Sequence, residues 1–537
     1  MLPLPDGPFA GALPVAAFLP APSTGLPRRA AGIAAGFASP PRWRLPYRRG
    51  VSGAPAPPLL PGLGAPGGAA PPVVVTASAS GLGGGSDGDG PRRSVFTEPP
   101  PAEAAGASAM EASRALEAWL VDNGVYLSDK SSWGRAPHPL AIANETTDDG
   151  EPSGRGLIAI KGVVQGEPLF KLPLSVLLTK AVALKTFGTA MPDDTDDFIA
   201  IATLLIRERS LGDASFYAPY LGVLPADEEL MPLFRWSAEE MAPLAGSPTL
   251  AAAASLRRKV ASEFADADQP EGLFGRSRSV FDPAVYTEAA WEWAFAVLFS
   301  RLVLLRSSGT LALVPYADLL NHNPYCGAYI DSFKENFTGT GYVCVFTDRP
   351  YGKMEQVYTT YGQKTNAELL LLYGFVVDRN PYDAVDVSVA VDEADPMYAR
   401  KMKFLEDAGQ EAGSSVAFPL FADRYPMELI EYLRFCVATE EEMDSGADWG
   451  DFVSERNEVA VARALLGACT AALSGYVRTL EEDDAMVRDR GLYAMLSLKQ
   501  RAALRQVRGE KRILKRTIAN TQKEMQTPRM LFKSLNS

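Results

Sequence analysis

Two histidines and four cysteines are all the soft metal ligands in this chain of 537 residues. Cys326, Cys344, Cys436 and Cys469 stand far apart with no CxxC pair, and only His138 and His322 join them. A structural zinc site needs four such ligands at short, paired spacings, so no metal centre is expected. The thiols fit a reducing compartment, where they pack as small hydrophobes. No apolar run approaches the roughly 20 residues of a membrane span, so no membrane partner is expected. Residues 1–100 hold eight Arg, no Lys and four acids, which leaves −17 on the remainder against −13 for the whole chain. Nucleic-acid binding draws most of its affinity from phosphate neutralisation. A body this acidic argues against such a partner.

The length and a hydrophobic content of 47% allow two or three domains. The first hundred residues are rich in Pro, Ala and Gly, and Asp6 is the only acid before Asp87. Such a segment buries too little apolar surface to offset the entropy of ordering it. Arg-rich, acid-poor composition suits an organelle transit peptide; the plain alternative is a disordered tail. Helical periodicity begins near Glu111 with Leu116, Trp119 and Leu120. Strands are expected at 156–164 and 167–172 around a Gln165-Gly166 turn, and at 311–315, 341–347 and 356–360. Asp194-Thr195 is expected to cap a helix bearing Ile199, Ala202, Leu205 and Ile206, and a long helix is expected at 286–306. Beyond Met427 the pattern turns helical, at 427–438, 455–480 and 494–525, with a loop at 440–451. Residues 498–537 hold eleven Lys or Arg against two acids. An apolar stripe (Leu504, Val507, Leu514, Ile518) runs between them, so a solvated helix face is the expected reading.

Three strings carry chemistry. The first is Ser153-Gly154-Arg155-Gly156-Leu157-Ile158-Ala159. Its glycines precede a strand, whereas a dinucleotide fingerprint places them after one. The second runs from Leu313 through Asp318, Asn321 and His322 to Pro324. The third is Tyr361-Gly-Gln-Lys-Thr-Asn366, running on to Tyr373-Gly374-Phe375. Taken singly, His322 reads as a structural histidine and Tyr361 as a strand-end aromatic. Their order together says more.

Gly-x-Gly-Leu-x-Ala, then Asp-Leu-x-Asn-His-x-Pro, then Tyr-Gly-x-x-x-Asn-Ala-Glu-Leu followed by Tyr-Gly-Phe resembles the SET-domain methyltransferases. More narrowly, the chain is similar to the plant Rubisco large-subunit lysine methyltransferase group over residues 110–525. The resemblance implies an α+β fold: small β-sheets around a knot-like cofactor site, a helical insert at about 185–290, and an all-α C-terminal substrate-binding domain. The implied division is a leader at 1–109, a SET domain at 110–390 and the helical domain at 391–537.

The resemblance also implies S-adenosylmethionine as cofactor, held by Ser153, Gly154, Arg155, Arg301, Asn321 and His322. Ser300, Arg301, Asp318, Tyr329, Tyr361 and Tyr373 are implied to bind the substrate side chain, with Tyr361 catalytic. The implied activity is protein-lysine N-methylation in the chloroplast stroma, on the Rubisco large subunit or another stromal protein such as fructose-bisphosphate aldolase, by a monomer. A cytoplasmic or nuclear protein is the expectation if the leader is no transit peptide. The related actin-histidine methyltransferases share this architecture. They tend to place Trp immediately before the Asp of the Asp-x-x-Asn-His string, where this chain has Tyr316-Ala317-Asp318. A catalytically silent SET-fold binding protein would be expected to lack Tyr361 or the Asn321-His322 pair, and both are present.

Overall fold

Short apolar runs broken by glycine give the chain small sheets rather than one large one. The computed structural model describes residues 102–125, 132–133, 136–137, 139–148, 150–334, 339–407 and 415–525. Most of the expected leader, and His138, lie outside them. Strands Leu140–Asp148 and Glu151–Ala159 pair antiparallel across a turn at Gly150, where φ is +79°. The expected strand at 156–164 therefore starts and stops earlier. Its partner, mixed Ala, Asn and Thr without alternation, carries no strand pattern to announce it. The Gln165-Gly166 turn is present, with Gly166 at φ +77°, but its flanks do not form a hairpin. Val163 bridges to Tyr351 and Pro168 to Phe346 instead.

A four-stranded sheet runs in the order Leu140–Asp148, Glu151–Ala159, Gln356–Thr359, Asn321–His322. Its last pair is parallel, with Tyr358 opposite Asn321 and Thr359 opposite His322. Two motifs far apart in the chain are thereby made neighbours.

Helices dominate from Lys180 to Arg301. Asp196, one residue beyond the expected pair, caps helix Asp197–Ser210 by accepting from the Phe198 N–H at 2.8 Å. Helix Glu288–Arg301 ends earlier than expected, because strand Val303–Leu305 turns back at Gly309 (φ +67°) to pair with Thr310–Leu313. Helix Asn366–Tyr373 has a full capping box, Thr365 with Glu368, and stops at Gly374 in the left-handed region (φ +84°).

The C-terminal region opens on an antiparallel pair of strands, Ala384–Val389 with Val416–Phe421, with helix Tyr398–Asp407 between them in the chain, and is helical thereafter. The expected helix at 455–480 ends at Ser474, and Leu480–Arg488 starts anew from a Thr479–Glu482 capping box. The stretch expected as a loop contains a short helix, Glu440–Asp444. Helix Leu498–Glu524 buries Leu504, Val507 and Leu514. Several of its cations are matched by acids of this same chain rather than merely solvated. Lys511 meets Asp483 at 2.5 Å, Arg508 and Arg512 meet Asp484 at 2.5 and 3.0 Å, and Lys515 meets Glu481 at 2.5 Å. The Lys511–Asp483 pair is buried, and Asp483 also accepts from Arg478 at 3.0 Å, so removing Asp483 would strand the Lys511 charge. The described residues from Gly106 onward belong to one compact unit. Among the described residues, no helix is long and apolar enough to cross a membrane.

Gly374 shows how tightly the motif residues are packed. A Cβ there would lie 2.2 Å from Met231 Cβ and 2.3 Å from its carbonyl carbon, on a backbone with positive φ. Gly374→Ala is expected to destabilise the protein by about 3 kcal/mol or more, read as the fall in chemical-denaturation midpoint. A change below about 0.5 kcal/mol would contradict this packing.

Candidate active site

The Ser153 string reaches the site through a bulge. Between the two antiparallel strands the register shifts at Ala143/Thr146 and again at Thr146/Thr147, which aims Thr146 across the sheet. Its hydroxyl lies 3.2 Å from Ser153 Oγ and donates to the Gly154 carbonyl at 2.8 Å. Asn321 Nδ2 shares its hydrogens among Thr146 Oγ1, the Arg155 carbonyl and Gln356 Oε1, at 3.1, 3.2 and 3.2 Å. One amide thus fastens three strands. Gly156 is required beneath it, since a Cβ there would come within 2.8 Å of Asn321 Nδ2 and 2.9 Å of Gln356 Oε1.

His322 is buried and stacks on Tyr361, with ring centroids 5.0 Å apart and planes at 22°. Its Nδ1 accepts from the Tyr361 backbone N–H at 3.0 Å, while Nε2 has no well-formed hydrogen bond. Burial, reinforced by the Lys364 charge, pushes its pKa down to about 4, so the ring is neutral near pH 7. Tyr361 stacks in turn on Tyr373, at 4.9 Å and 20°. The Tyr361 hydroxyl donates to the Leu320 carbonyl at 2.9 Å, and burial pushes its pKa up to about 12. It therefore stays protonated across the physiological range.

Behind this stack lies an ion pair. Arg301 Nη1 donates to both the carboxylate and the carbonyl of Asp318, at 3.2 and 3.1 Å. The Tyr220 hydroxyl donates to the same carboxylate oxygen, Oδ2, at 2.7 Å. Asp318 Oδ1 is buried without a partner. Burial raises the Asp318 carboxyl above its ordinary value, and Arg301 and Tyr220 pull it back in part. Burial is the largest single influence on Arg301 and opposes its charge, but Asp318, Tyr220 and Tyr361 together outweigh it and the guanidinium is held more firmly protonated. Tyr316, in the left-handed region at φ +73°, turns the chain into the short helix Ala317–Leu319 that presents Asp318. Such a conformation costs a bulky residue on the order of 1–3 kcal/mol.

Ser300, Arg301, Asp318, Tyr329, Tyr361 and Tyr373 line a single cavity of about 490 Å³. All six residues singled out for a substrate side chain therefore face one space. Ser153, Gly154, Arg155 and Asn321 form an adjoining cluster around Thr146, and His322 joins the two through Tyr361. Arg155 donates to the Val223 carbonyl; burial and the neighbouring Arg301 charge lower its pKa. Tyr329 is half exposed, at 50%, and sits at the rim. Thr146, Gln356 and Tyr220 lie outside the motifs, and Leu320 stands within the second string only at its unspecified position. Thr146 and Tyr220 had no local signal, because their roles depend on a bulge and on a helix contact distant in sequence. The Asp318 carbonyl already receives Arg301, and its carboxylate organises the pair. Among the described residues, no group of His, Cys, Asp and Glu is placed to hold a metal.

Comparison with known proteins shows similarity in sequence and in fold. The Rubisco LSMT substrate-binding family matches residues 392–514. The chain is 28% identical over 383 residues to a chloroplastic ribulose-1,5-bisphosphate carboxylase/oxygenase large-subunit N-methyltransferase from Nicotiana tabacum, covering 68% of this chain and 75% of that protein. It is 28% identical over 413 residues to a chloroplastic fructose-bisphosphate aldolase-lysine N-methyltransferase from Arabidopsis thaliana, covering 74% and 80%. A crystal structure of the SET domain of LSMT bound to lysine and AdoHcy superposes with a TM-score of 0.65 at 25% identity, covering 79% of this chain and 93% of that one. Motif order, fold and these similarities together identify the chain as a SET-domain methyltransferase resembling the Rubisco large-subunit methyltransferases.

Proposed function

We propose that the chain is an S-adenosylmethionine-dependent protein-lysine N-methyltransferase whose substrate is a chloroplast stromal protein such as the Rubisco large subunit or fructose-bisphosphate aldolase. The observation that carries this reading is the cavity walled by Tyr361 and Tyr373, with the Tyr361 hydroxyl fixed on the Leu320 carbonyl beside Asn321-His322. When bound, S-adenosylmethionine supplies an already activated sulfonium methyl. The residues that would hold it are the Ser153–Arg155 segment, Asn321, His322 and Arg301. They fit such a group: a Cβ at Gly154 would meet nothing within 4 Å, so this backbone stands open to a ligand. The His322 Nε2 position and Asp318 Oδ1 are buried polar atoms in want of a partner.

The chain's task is alignment, placing the amine nitrogen in line with methyl and sulfur. A lysine of ordinary pKa costs about 4.6 kcal/mol to neutralise at pH 7. A wall of stacked aromatic rings lowers that cost by disfavouring the charged form. The Tyr361 hydroxyl, having given its hydrogen to Leu320, offers lone pairs to the amine hydrogens. A carbonyl has two lone pairs, so Leu320 and Asp318 each keep one for the amine or the methyl. The amine proton departs through water. The Arg-rich leader and the chloroplastic relatives support a plastid location.

Protein lacking residues 1–101, incubated with labelled S-adenosylmethionine and plant stromal extract, is expected to label a lysine identifiable by mass spectrometry. Methyl-histidine, or no transfer, would overturn the reading. Tyr361→Phe is expected to lower turnover by at least about tenfold, roughly 1.4 kcal/mol of barrier, with cofactor affinity little changed. Turnover equal to the unaltered enzyme would remove Tyr361 from the chemistry. With His322 neutral above about pH 4 and Tyr361 protonated to about pH 12, neither limits the rate between pH 6.5 and 9. The rate is expected to climb with pH by close to tenfold per unit as the target lysine loses its proton. A bell with an acid limb near neutrality would assign the ionisation elsewhere.

A further inference from the structure

Glu151 opens the strand that carries Ser153, Gly154 and Arg155, and its carboxylate is gripped from the C-terminal helices. Oε1 accepts from the Tyr493 hydroxyl at 2.7 Å, and Oε2 from Arg501 Nη1 at 3.3 Å. Arg501 does more than pair. Its Nε donates to the Tyr493 and Leu496 carbonyls at 3.1 Å each, its Nη2 donates to Ala494 at 2.9 Å, and its guanidinium lies 5.2 Å from the Tyr493 ring centre. One side chain therefore folds the Arg490–Met495 helix and the turn after it against Glu151. The Arg501 and Glu151 side chains are only 19% and 20% exposed, so solvent screens them less than a surface pair. Tyr493 and Arg501 both lie within the stretch matched by the substrate-binding family.

This grip falls where the sheet is least able to hold itself. Glu151 pairs with Asp148 at the tip of the hairpin, next to the register shifts around Thr146. A bulge disrupts the ladder and bends the strand. Yet the Thr146 hydroxyl must meet Ser153, Gly154 and Asn321 at once. Fixing the tip fixes the phase of the bulge, and with it the segment read above as the cofactor edge.

We infer that Glu151, Tyr493 and Arg501 are positioning residues that hold the cofactor strand in its binding register from the C-terminal helical region. The inference rests on the proposed function. It does not require these residues to touch the cofactor.

Calorimetric titration of S-adenosylhomocysteine into the full chain tests it. Tyr493→Phe is expected to weaken binding about threefold and Glu151→Ala about tenfold, since the first removes one charge-assisted hydrogen bond to the Glu151 carboxylate and the second removes that bond and the Arg501 contact together. The double variant is expected to be no worse than Glu151→Ala alone, since both remove one device. Glu151→Gln, whose amide oxygen still accepts from Tyr493, is expected to recover most of the affinity. KM for S-adenosylmethionine should rise with kcat little changed. Arg400→Ala, which breaks an exposed pair with Asp444 elsewhere in the C-terminal region, should leave binding unaltered. Unchanged affinity in Glu151→Ala, or a loss matched by a fall in thermal stability and additive in the double variant, would overturn the inference. If the unaltered chain itself failed to bind S-adenosylhomocysteine, the proposed function would fall with it; binding by the unaltered chain with no change in the variants defeats the tether alone.

Discussion

The parallel pairing of Asn321-His322 with Tyr358-Thr359 is the constraint on which the rest of the site depends. It is only two residues long, too short to be held by ladder hydrogen bonds alone. Side chains complete it. The Asn321 amide fastens to Thr146, Arg155 and Gln356, and the His322 imidazole accepts the backbone N–H of Tyr361. That last bond sets where the Gln356–Thr359 strand stops and where the Tyr361 ring begins its stack. The asparagine and histidine are in this sense architectural. They place the tyrosine proposed to orient the substrate amine.

Charge is handled by isolation rather than by abundance. The cavity contains one ion pair, Arg301 with Asp318, and its aromatic wall is neutral because burial moves His322 down and Tyr361 up, away from neutral pH. A neutral wall favours a neutral amine, which is the form that attacks a methyl. The helical C-terminal region treats charge differently. There a run of acids, Glu481 to Asp484, meets a run of bases on helix Leu498–Glu524, and the basic stripe is spent inside the protein.

Much of this was legible in the chain. The second and third motif strings contain Asp318, Tyr361 and Tyr373 of the cavity wall, while Ser300, Arg301 and Tyr329 lie outside the strings and were reached only through the family resemblance. Helix Asn366–Tyr373 could be read from its capping residues and Gly374. What stayed hidden were interactions made at long range. Thr146 acts through a bulge whose register no local pattern encodes. Tyr220 reaches Asp318 across 98 positions. Helix Glu288–Arg301 looked longer because Leu302–Arg306 continues its apolar pattern, and only pairing with Thr310–Leu313 turns that run into a strand. The basic residues of 498–537 read as a solvated helix face until the acids at 481–484 that pair with them were in view.

The central claim is geometric: the Tyr361 hydroxyl and the Leu320 carbonyl mark where a substrate amine rests, with the cofactor on the Asn321 side. A crystal structure of this protein with S-adenosylhomocysteine and a lysine-containing peptide tests that most directly. The account predicts the amine nitrogen at about 3 Å from the Tyr361 oxygen, between the Tyr361 and Tyr373 rings, pointing at the cofactor sulfur. A lysine side chain bound outside this cavity, or a cofactor lying away from the Ser153–Arg155 strand and Asn321, would contradict it.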